Sequence, residues 1–500
     1  MPTNVVYETI TSKNLNYHQK LNNLWIAAEN TLDVLDESPK WRHYYKGGGL
    51  CDMNEGNAPY RPRYVMVDFA KFVKNGSAFL KINPPKNLDE LLWSLEILYN
   101  YIPSITGKPV YLGNLDELID PFLDGVSDEE AKTKIGRFLG YINRVIANAY
   151  SHANLGPKAT RAGYLILELE EELQLDTPNF TLKYDKDITS DDFAKKAIAC
   201  SIKCGNPAIA NHKAHKDTFK DGYGISSCYN ILPIGGGSYT LSRIVLPRLA
   251  KMADNLSDFL NHVLPEACEV LNEYMNSRVK FLVEKSGFFD SDFLVKEGLV
   301  SRDHFVGMFG VAGLCDCVNY FMQESGKRYG NDQEADELAL QILEIIENKL
   351  KVMPALYSEY ADNHFMLHAQ AGLSTDVGVT SGVRIIVGDE PENLLDHLRH
   401  SCKMHKYFTA GCSDIFPFET TVLRNVDALL DIVKGAFELG DKYLAFYGSD
   451  GDMVRITGYL VKKSELAKFE SGEVVLQDNV INGSSNYKLN RLKDRKVRNL

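Results

Sequence analysis

The chain is 500 residues long, 44% apolar, and carries a formal net charge of −12. That length suits two or three ordinary domains or one large α/β barrel with insertions, and the apolar share is ample for a buried core. The acidic balance gives no electrostatic case for nucleic acid, residues 1–30 lack the basic start and apolar run of a signal peptide, and no stretch is apolar over the length of a membrane span.

In chain order, a helical pattern over 17–36 precedes the loop Gly47-Gly48-Gly49-Leu50-Cys51-Asp52, and residues 1–60 read as a helical leader. Tyr64–Phe69 alternates like a strand. Leu88–Tyr101 is an amphipathic helix stopped by Pro103. Ser127 and Glu130 form a capping box opening a long helix to about Tyr150. Phe180–Tyr184 reads as a short strand, and Ser190 caps a helix to about Cys204 that ends at Gly205-Asn206-Pro207. Strand-like Tyr239–Val245 follows. Helical patterns cover 254–285, 307–324, 333–352 and 422–437, and strand signals fall at 378–387 and 453–461. Strands separated by long helices indicate an α/β fold. There is no internal repeat and no low-complexity linker. Beyond Asn482 the chain turns basic, with Lys488, Arg491, Lys493, Arg495, Lys496 and Arg498 against only Asp494. Such a tail is a solvated end or a contact for RNA or an acidic partner.

Nine cysteines, an odd number without disulfide-framework spacing, fit a reducing cytoplasm. Near the C-terminus the chain reads Met453-Val454-Arg455-Ile456-Thr457-Gly458-Tyr459-Leu460-Val461. A Cα radical is delocalised into the flanking amides only if its centre flattens. Glycine, lacking Cβ, does so without clash. The candidate to relay such a radical is Cys228, in Asp221-Gly222-Tyr223-Gly224-Ile225-Ser226-Ser227-Cys228-Tyr229-Asn230, where glycines and Pro233 mark a constrained loop.

Arg-Ile-x-Gly-Tyr near the terminus, together with Gly-x-Pro, Tyr-Gly-Ile and a cysteine in that order, resembles the YjjI-like family of glycyl radical enzymes. The resemblance runs from about Gly205 to Glu465 and is densest at Ser226–Arg243, Phe305–Asn319, Thr409–Glu419 and Val454–Glu465. It implies a ten-stranded β/α barrel of two half-barrels, helices outside, with the cysteine loop and the radical loop meeting within. The implied division is a leader over 1–60, a barrel core over 61–440 with the cysteine loop at 221–238, a radical-loop domain over 441–475 and a basic tail over 476–500. It also implies an organic radical on Gly458 and a thiyl on Cys228, with Arg455 and Tyr459 as loop anchors. The partner would be a separate activase that carries S-adenosylmethionine and an iron–sulfur cluster. The substrate is a small molecule, the setting anaerobic and cytoplasmic, and the relatives suggest a homodimer. Asp450-Gly451-Asp452 reads as the hinge of the radical loop.

Two departures narrow the chemistry. Residue 230 is Asn where many glycyl radical lyases carry a basic Glu, and Asn cannot take up a proton in that way. Residues 227 and 229 are Ser and Tyr, so the adjacent cysteines of pyruvate formate-lyase are missing. The alternatives are a nucleotide reductase resembling anaerobic ribonucleotide reductase, supported by Leu241-Ser242-Arg243-Ile244-Val245-Leu246-Pro247-Arg248 but lacking any Cys-x2-Cys pair, and a non-catalytic scaffold.

Other constellations compete with packing. Cys200-x3-Cys204 with His212-x2-His215 has zinc-type ligands but no standard finger spacing, so packed thiols and surface histidines are expected and no metal. Cys315-x-Cys317 cannot share a helix face, and Cys315 is the better pocket candidate. Cys412 is a second one. His364, His368, His397, His400 and His405 have helical spacings without the Glu of a zincin. Gly235-Gly236-Gly237 lacks the Lys-Ser/Thr of a P-loop and reads as a tight turn bringing backbone close to substrate.

Overall fold

The computed structural model describes residues 4–484 except 30, 32, 33, 54, 56, 57, 147, 148, 220, 221, 228, 371–378, 387, 413, 457 and 482. Cys228 and the basic residues of the tail therefore lie outside the described residues.

The strands, in chain order, are β1 (Leu50–Cys51), β2 (Tyr64–Met66), β3 (Tyr111–Asn114), β4 (His152–Leu155), β5 (Asn179–Tyr184), β6 (Ala208–Asn211), β7 (Tyr223–Ser226), β8 (Asn230–Pro233), β9 (Gly236–Val245), β10 (Phe305–Ala312), β11 (Met366–Ala369), β12 (Asp414–Phe418), β13 (Tyr443–Gly448), β14 (Met453–Arg455) and β15 (Leu460–Lys462). A six-stranded sheet runs β12-β13-β6-β5-β4-β3, and a five-stranded sheet runs β1-β9-β10-β11 with β2 also on β9. β3 to β6 are mutually parallel, as are β9 to β11. β13 runs antiparallel to β6, and β12 parallel to β13.

Parallel neighbours need crossovers, and helices supply them. Arg161–Leu173 joins β4 to β5, Asp191–Cys204 joins β5 to β6, Leu264–Glu284 lies between β9 and β10, and Gln333–Val352 between β10 and β11. The caps follow the sequence. Ser127 Oγ accepts from Glu130 N at 3.2 Å and Ser190 Oγ from Phe193 N at 3.4 Å, each opening a helix. The expected two-half architecture is present, with ladders of five and six strands.

Two hairpins stand apart from the sheets: β7–β8 and β14–β15. The first touches β3 and β4 of one sheet and β2 and β9 of the other, so it lies between them. No helix of the described residues is long and apolar enough to cross a membrane.

Several expectations need correction. Residues 307–312, assigned to a helix over 307–324, belong to β10 (Phe305–Ala312), and within that span only Leu314–Phe321 is α-helical. Every residue of β10 is buried. A strand covered on both faces reads as an unbroken apolar run, which periodicity does not separate from a helix. No strand forms among the described residues of 378–387. The expected strand over 453–461 is a hairpin with Gly458 in its turn. His368 is on β11, not a helix, whereas His397, His400 and His405 do share the helix Leu394–His405.

Candidate active site

The β14–β15 hairpin is closed by Ile456 N donating to Tyr459 O at 3.1 Å. Arg455, only 2% exposed, fixes it to the sheet. Its Nε and Nη2 donate to Gly205 O at 3.2 and 2.6 Å, Nη2 to Asn206 Oδ1 at 3.1 Å, and Nη1 to Gly458 O at 3.2 Å. One planar guanidinium thus joins the helix-to-β6 turn to the glycine itself. Tyr459 packs in a small apolar cluster with Ile456, Val461, Leu466, Val475 and Val480, its ring edge-on to Tyr150 at 6.3 Å. The Asp450–Asp452 turn is tied rather than loose. Asp450 accepts from Thr420 N and Oγ1 at 3.1 and 2.6 Å, Asp452 from Ser464 N and Oγ at 2.9 and 2.7 Å, and Lys463 Nζ reaches Ser449 O and Gly451 O.

The β7–β8 hairpin is held at base and tip. Asn154 brackets the Ile225 backbone, donating to its carbonyl at 2.9 Å and accepting from its N–H at 2.8 Å. Lys183 Nζ donates to Tyr223 O at 2.7 Å, and Ser227 N to Val110 O at 3.2 Å. Ser227 takes a positive φ of 51°, which turns the chain sharply before residue 228. Beyond it, the Tyr229 hydroxyl donates to Ala369 O, and its ring stacks on His368 at 5.2 Å and lies 5.6 Å from Tyr443.

The β7–β8 hairpin packs against β4, whose His152 the sequence reading passed over. A lone histidine in His152-Ala153-Asn154-Leu155 carries no motif; its only signal is a polar side chain within a buried strand. Its Nε2 lies 2.7 Å from Thr181 Oγ1, which is 3.3 Å from the Tyr443 hydroxyl. Burial pushes the imidazole down to about 3, the Arg455 charge pushes the same way, and the Ser227 backbone opposes both. The ring is therefore neutral and fully buried.

The other candidates pack. Cys315 Sγ accepts from Ile386 N at 3.2 Å and Asn319 Nδ2 at 3.4 Å, and burial pushes its thiol up to about 12. Cys412 is buried and its thiol is pushed well up for the same reason. At Gly235-Gly236-Gly237 the crowding comes from protein backbone. A Cβ on Gly236 would lie 1.9 Å from His304 O, and one on Gly237 2.0 Å from Tyr64 O. Cys200 and Cys204 are buried with their sulfurs 3.5 Å apart. The histidines downstream are not surface groups: His215 is fully buried with Nε2 3.1 Å from Lys442 O, and His212 Nδ1 lies 2.8 Å from the Tyr223 hydroxyl.

One cluster has the composition of a metal site. His405, Asp414 and Asp441 are buried with ligand-type atoms within 4.8 Å of one another. However, His405 Nδ1 accepts from Cys412 N at 3.3 Å and Lys442 N at 3.0 Å. Its neutral ring then carries hydrogen on Nε2, which faces Asp441 at 3.3 Å and Asp414 at 3.8 Å. A nitrogen bearing hydrogen does not ligate a cation. Burial pushes Asp441 up to about 7. It acts on Asp414 too, but the histidines beside it hold that carboxyl below its usual range.

Comparison with known proteins gives a consistent result. The family model described as glycyl radical enzyme YjjI-like matches residues 15–498. An uncharacterized protein of Haemophilus influenzae is 40% identical over 99% of this chain and 97% of its own length. The uncharacterized protein YjjI of Escherichia coli is 39% identical over 93% of this chain and 90% of its own. Among solved structures, an anaerobic ribonucleotide reductase has a TM-score of 0.68 at 14% identity, covering 91% of this chain and 84% of that one. Hydroxyproline dehydratase of Clostridioides difficile has 0.66 at 12% identity, covering 99% and 89%. Identity at that level carries the fold alone.

Proposed function

Because the chain belongs to the YjjI-like family of glycyl radical enzymes, we propose that Gly458 stores its radical and that Cys228 passes it to a small-molecule substrate. A separate activase, supplying S-adenosylmethionine and an iron–sulfur cluster, takes one Cα hydrogen from Gly458. Gly458 Cα then takes the hydrogen of the Cys228 thiol: the S–H bond breaks, the Cα–H bond forms, and the unpaired electron moves to sulfur. Cys228 abstracts hydrogen from substrate and, after the substrate radical has reacted, the same exchange runs backwards.

The observation that supports this reading is the buried Arg455 guanidinium, which donates to the carbonyl of Gly458 in the turn of the β14–β15 hairpin. Asn154 and Lys183 position the β7–β8 hairpin, and Arg455 holds the glycine carbonyl. The buried setting excludes water and stray hydrogen donors. A reducing cytoplasm keeps the working thiol free.

The test is anaerobic activation with a cognate radical activase, S-adenosylmethionine and a reductant, followed by EPR. A doublet in the wild type that is missing in Gly458→Ala is expected. No doublet, with an activase active on its own partner and bound to this chain, overturns the reading.

A further inference from the structure

We propose that Arg384 is a positioning residue for the radical turn: it holds the Ile456 carbonyl from the five-stranded half of the molecule while Arg455 ties the Gly458 carbonyl to the six-stranded half, and so sets how often the turn opens to an activase. This role rests on the proposed function, in which Gly458 stores the radical.

Arg384 is 7% exposed, and its Nη1 donates to Ile456 O at 3.3 Å. The Ile456 N–H is engaged inside the hairpin, on Tyr459 O. The carbonyl two residues before Gly458 and the carbonyl of Gly458 itself are thus each held by a guanidinium. Arg455 belongs to the hairpin and ties it to Gly205 and Asn206, at the entrance to β6 of the six-stranded sheet. Arg384 lies in the segment after β11, which ends the five-stranded sheet. The turn is therefore held from both sheets.

The segment that carries Arg384 is itself fixed. Gln370 N donates to Val311 O at 2.8 Å and Gly382 N to Gln370 O at 2.7 Å, which extends the β10–β11 ladder. Gly313 N and Leu314 N, where the helix Leu314–Phe321 begins, donate to Thr380 O at 3.0 Å and Gly382 O at 3.1 Å. Asp316 on that helix accepts from Thr380 N at 2.7 Å and from the Thr380 hydroxyl. On either side of Arg384, the Tyr329 hydroxyl donates to Val383 O at 2.7 Å and Ile386 N to Cys315 Sγ at 3.2 Å. A guanidinium on a fixed backbone is preorganised, so its hydrogen bond restrains the turn rather than following it.

Gly458 is buried, and so are Ile456 and Tyr459 beside it. A separate enzyme does not reach the Cα hydrogen in that state, so activation passes through an opened turn, whereas exchange with Cys228 needs the closed one. Arg384 favours the closed one. Leaving a buried carbonyl without its donor shifts such an opening equilibrium roughly tenfold to a hundredfold.

The experiment compares full-length wild type, Arg384→Met and Arg384→Lys. On the non-activated proteins, hydrogen exchange read by mass spectrometry should show peptides spanning 453–462 losing about tenfold or more of their protection in Arg384→Met, with residues 205–211 unchanged and part of the loss restored in Arg384→Lys. With a limiting amount of cognate activase, S-adenosylmethionine and a reductant, the EPR doublet should grow faster in Arg384→Met by a similar factor, because more of the protein is open. A side chain that only supported the fold would give a slower or smaller doublet. Unchanged protection of 453–462 in folded Arg384→Met overturns the proposal, as does a doublet that grows no faster than in the wild type. If Arg384→Met fails to fold, the same readings on Arg384→Lys decide. Hydrogen exchange involves no radical, so a missing wild-type doublet overturns the radical site alone, and the exchange result still decides whether Arg384 restrains the turn.

Discussion

Replacing Arg455 by methionine keeps much of the side chain's bulk and removes its fork. Of its four hydrogen bonds to described residues, three end on the carbonyls of Gly205 and Gly458. Asn206 Oδ1 keeps the Phe180 N–H at 3.1 Å, so it is not stranded. Two buried carbonyls losing their donor cost roughly 1–3 kcal/mol each, or about 4 kcal/mol together. The apolar cluster around Tyr459 and the Asp450–Asp452 ties remain, so the loss falls on local opening of the β14–β15 hairpin rather than on the whole fold. About 4 kcal/mol is roughly a thousandfold in the opening equilibrium. Hydrogen exchange read by mass spectrometry on the non-activated protein measures it directly. Peptides spanning 453–462 should lose roughly that factor of protection in Arg455→Met, while β3 to β5 keep theirs. Arg455→Lys, with a point charge and no fork, should fall between. Unchanged protection of 453–462 in a folded variant would refute the anchoring role, as would an equal loss throughout the six-stranded sheet.

Stability should fall as pH rises from about 6.5 to 8. Burial pushes Asp116 and Asp441 up to about 7 and Glu170 up to about 8, so all three are protonated in the folded chain where the unfolded chain has lost its protons. Groups with raised folded values stabilise at low pH and lose that contribution as pH climbs through those values, at up to ~1.4 kcal/mol per unit each. His152, His215 and His368, each pushed down to about 3 mainly by burial, act in the opposite sense below 6.5 and flatten the profile there. Thermal melting at pH 6 should therefore exceed that at pH 8, with a smaller gap in Asp441→Asn; a midpoint rising over that interval would contradict the assignment. Gly237→Ala places a Cβ 2.0 Å from Tyr64 O at a φ of +152°. It should prevent β2 from pairing with β9 and cost several kcal/mol in denaturant unfolding, on the order of 3 or more; a near-neutral effect would show that β2 is not held there.

What the sequence revealed follows from what local chemistry encodes. The Arg455–Gly458 turn was legible because it carries its residues within a few positions of each other. Helices with strong caps, such as those opened by Ser127 and Ser190, were legible for the same local reason. β10 was not, because Phe305–Ala312 is buried on both faces and loses the alternation that marks a strand. His152 was invisible because its partner Thr181 comes within reach only in the folded chain. Arg384 likewise meets the Ile456 carbonyl only there. The glycine triplet was seen, but its reason is the carbonyls of His304 and Tyr64, distant in sequence.

The central claim is hydrogen exchange between Gly458 and Cys228, and it can be tested without a substrate. The remaining Cα hydrogen of a glycyl radical splits its EPR signal into a doublet. In D2O the Cys228 thiol becomes S–D, and its deuteron, delivered to Gly458 Cα and followed by loss of the original hydrogen, leaves deuterium on the radical carbon. The activated wild type moved into D2O should therefore show the doublet collapsing toward a single line, and Cys228→Ser should keep the doublet. A doublet that persists in the wild type, or collapses equally in Cys228→Ser, would contradict the relay.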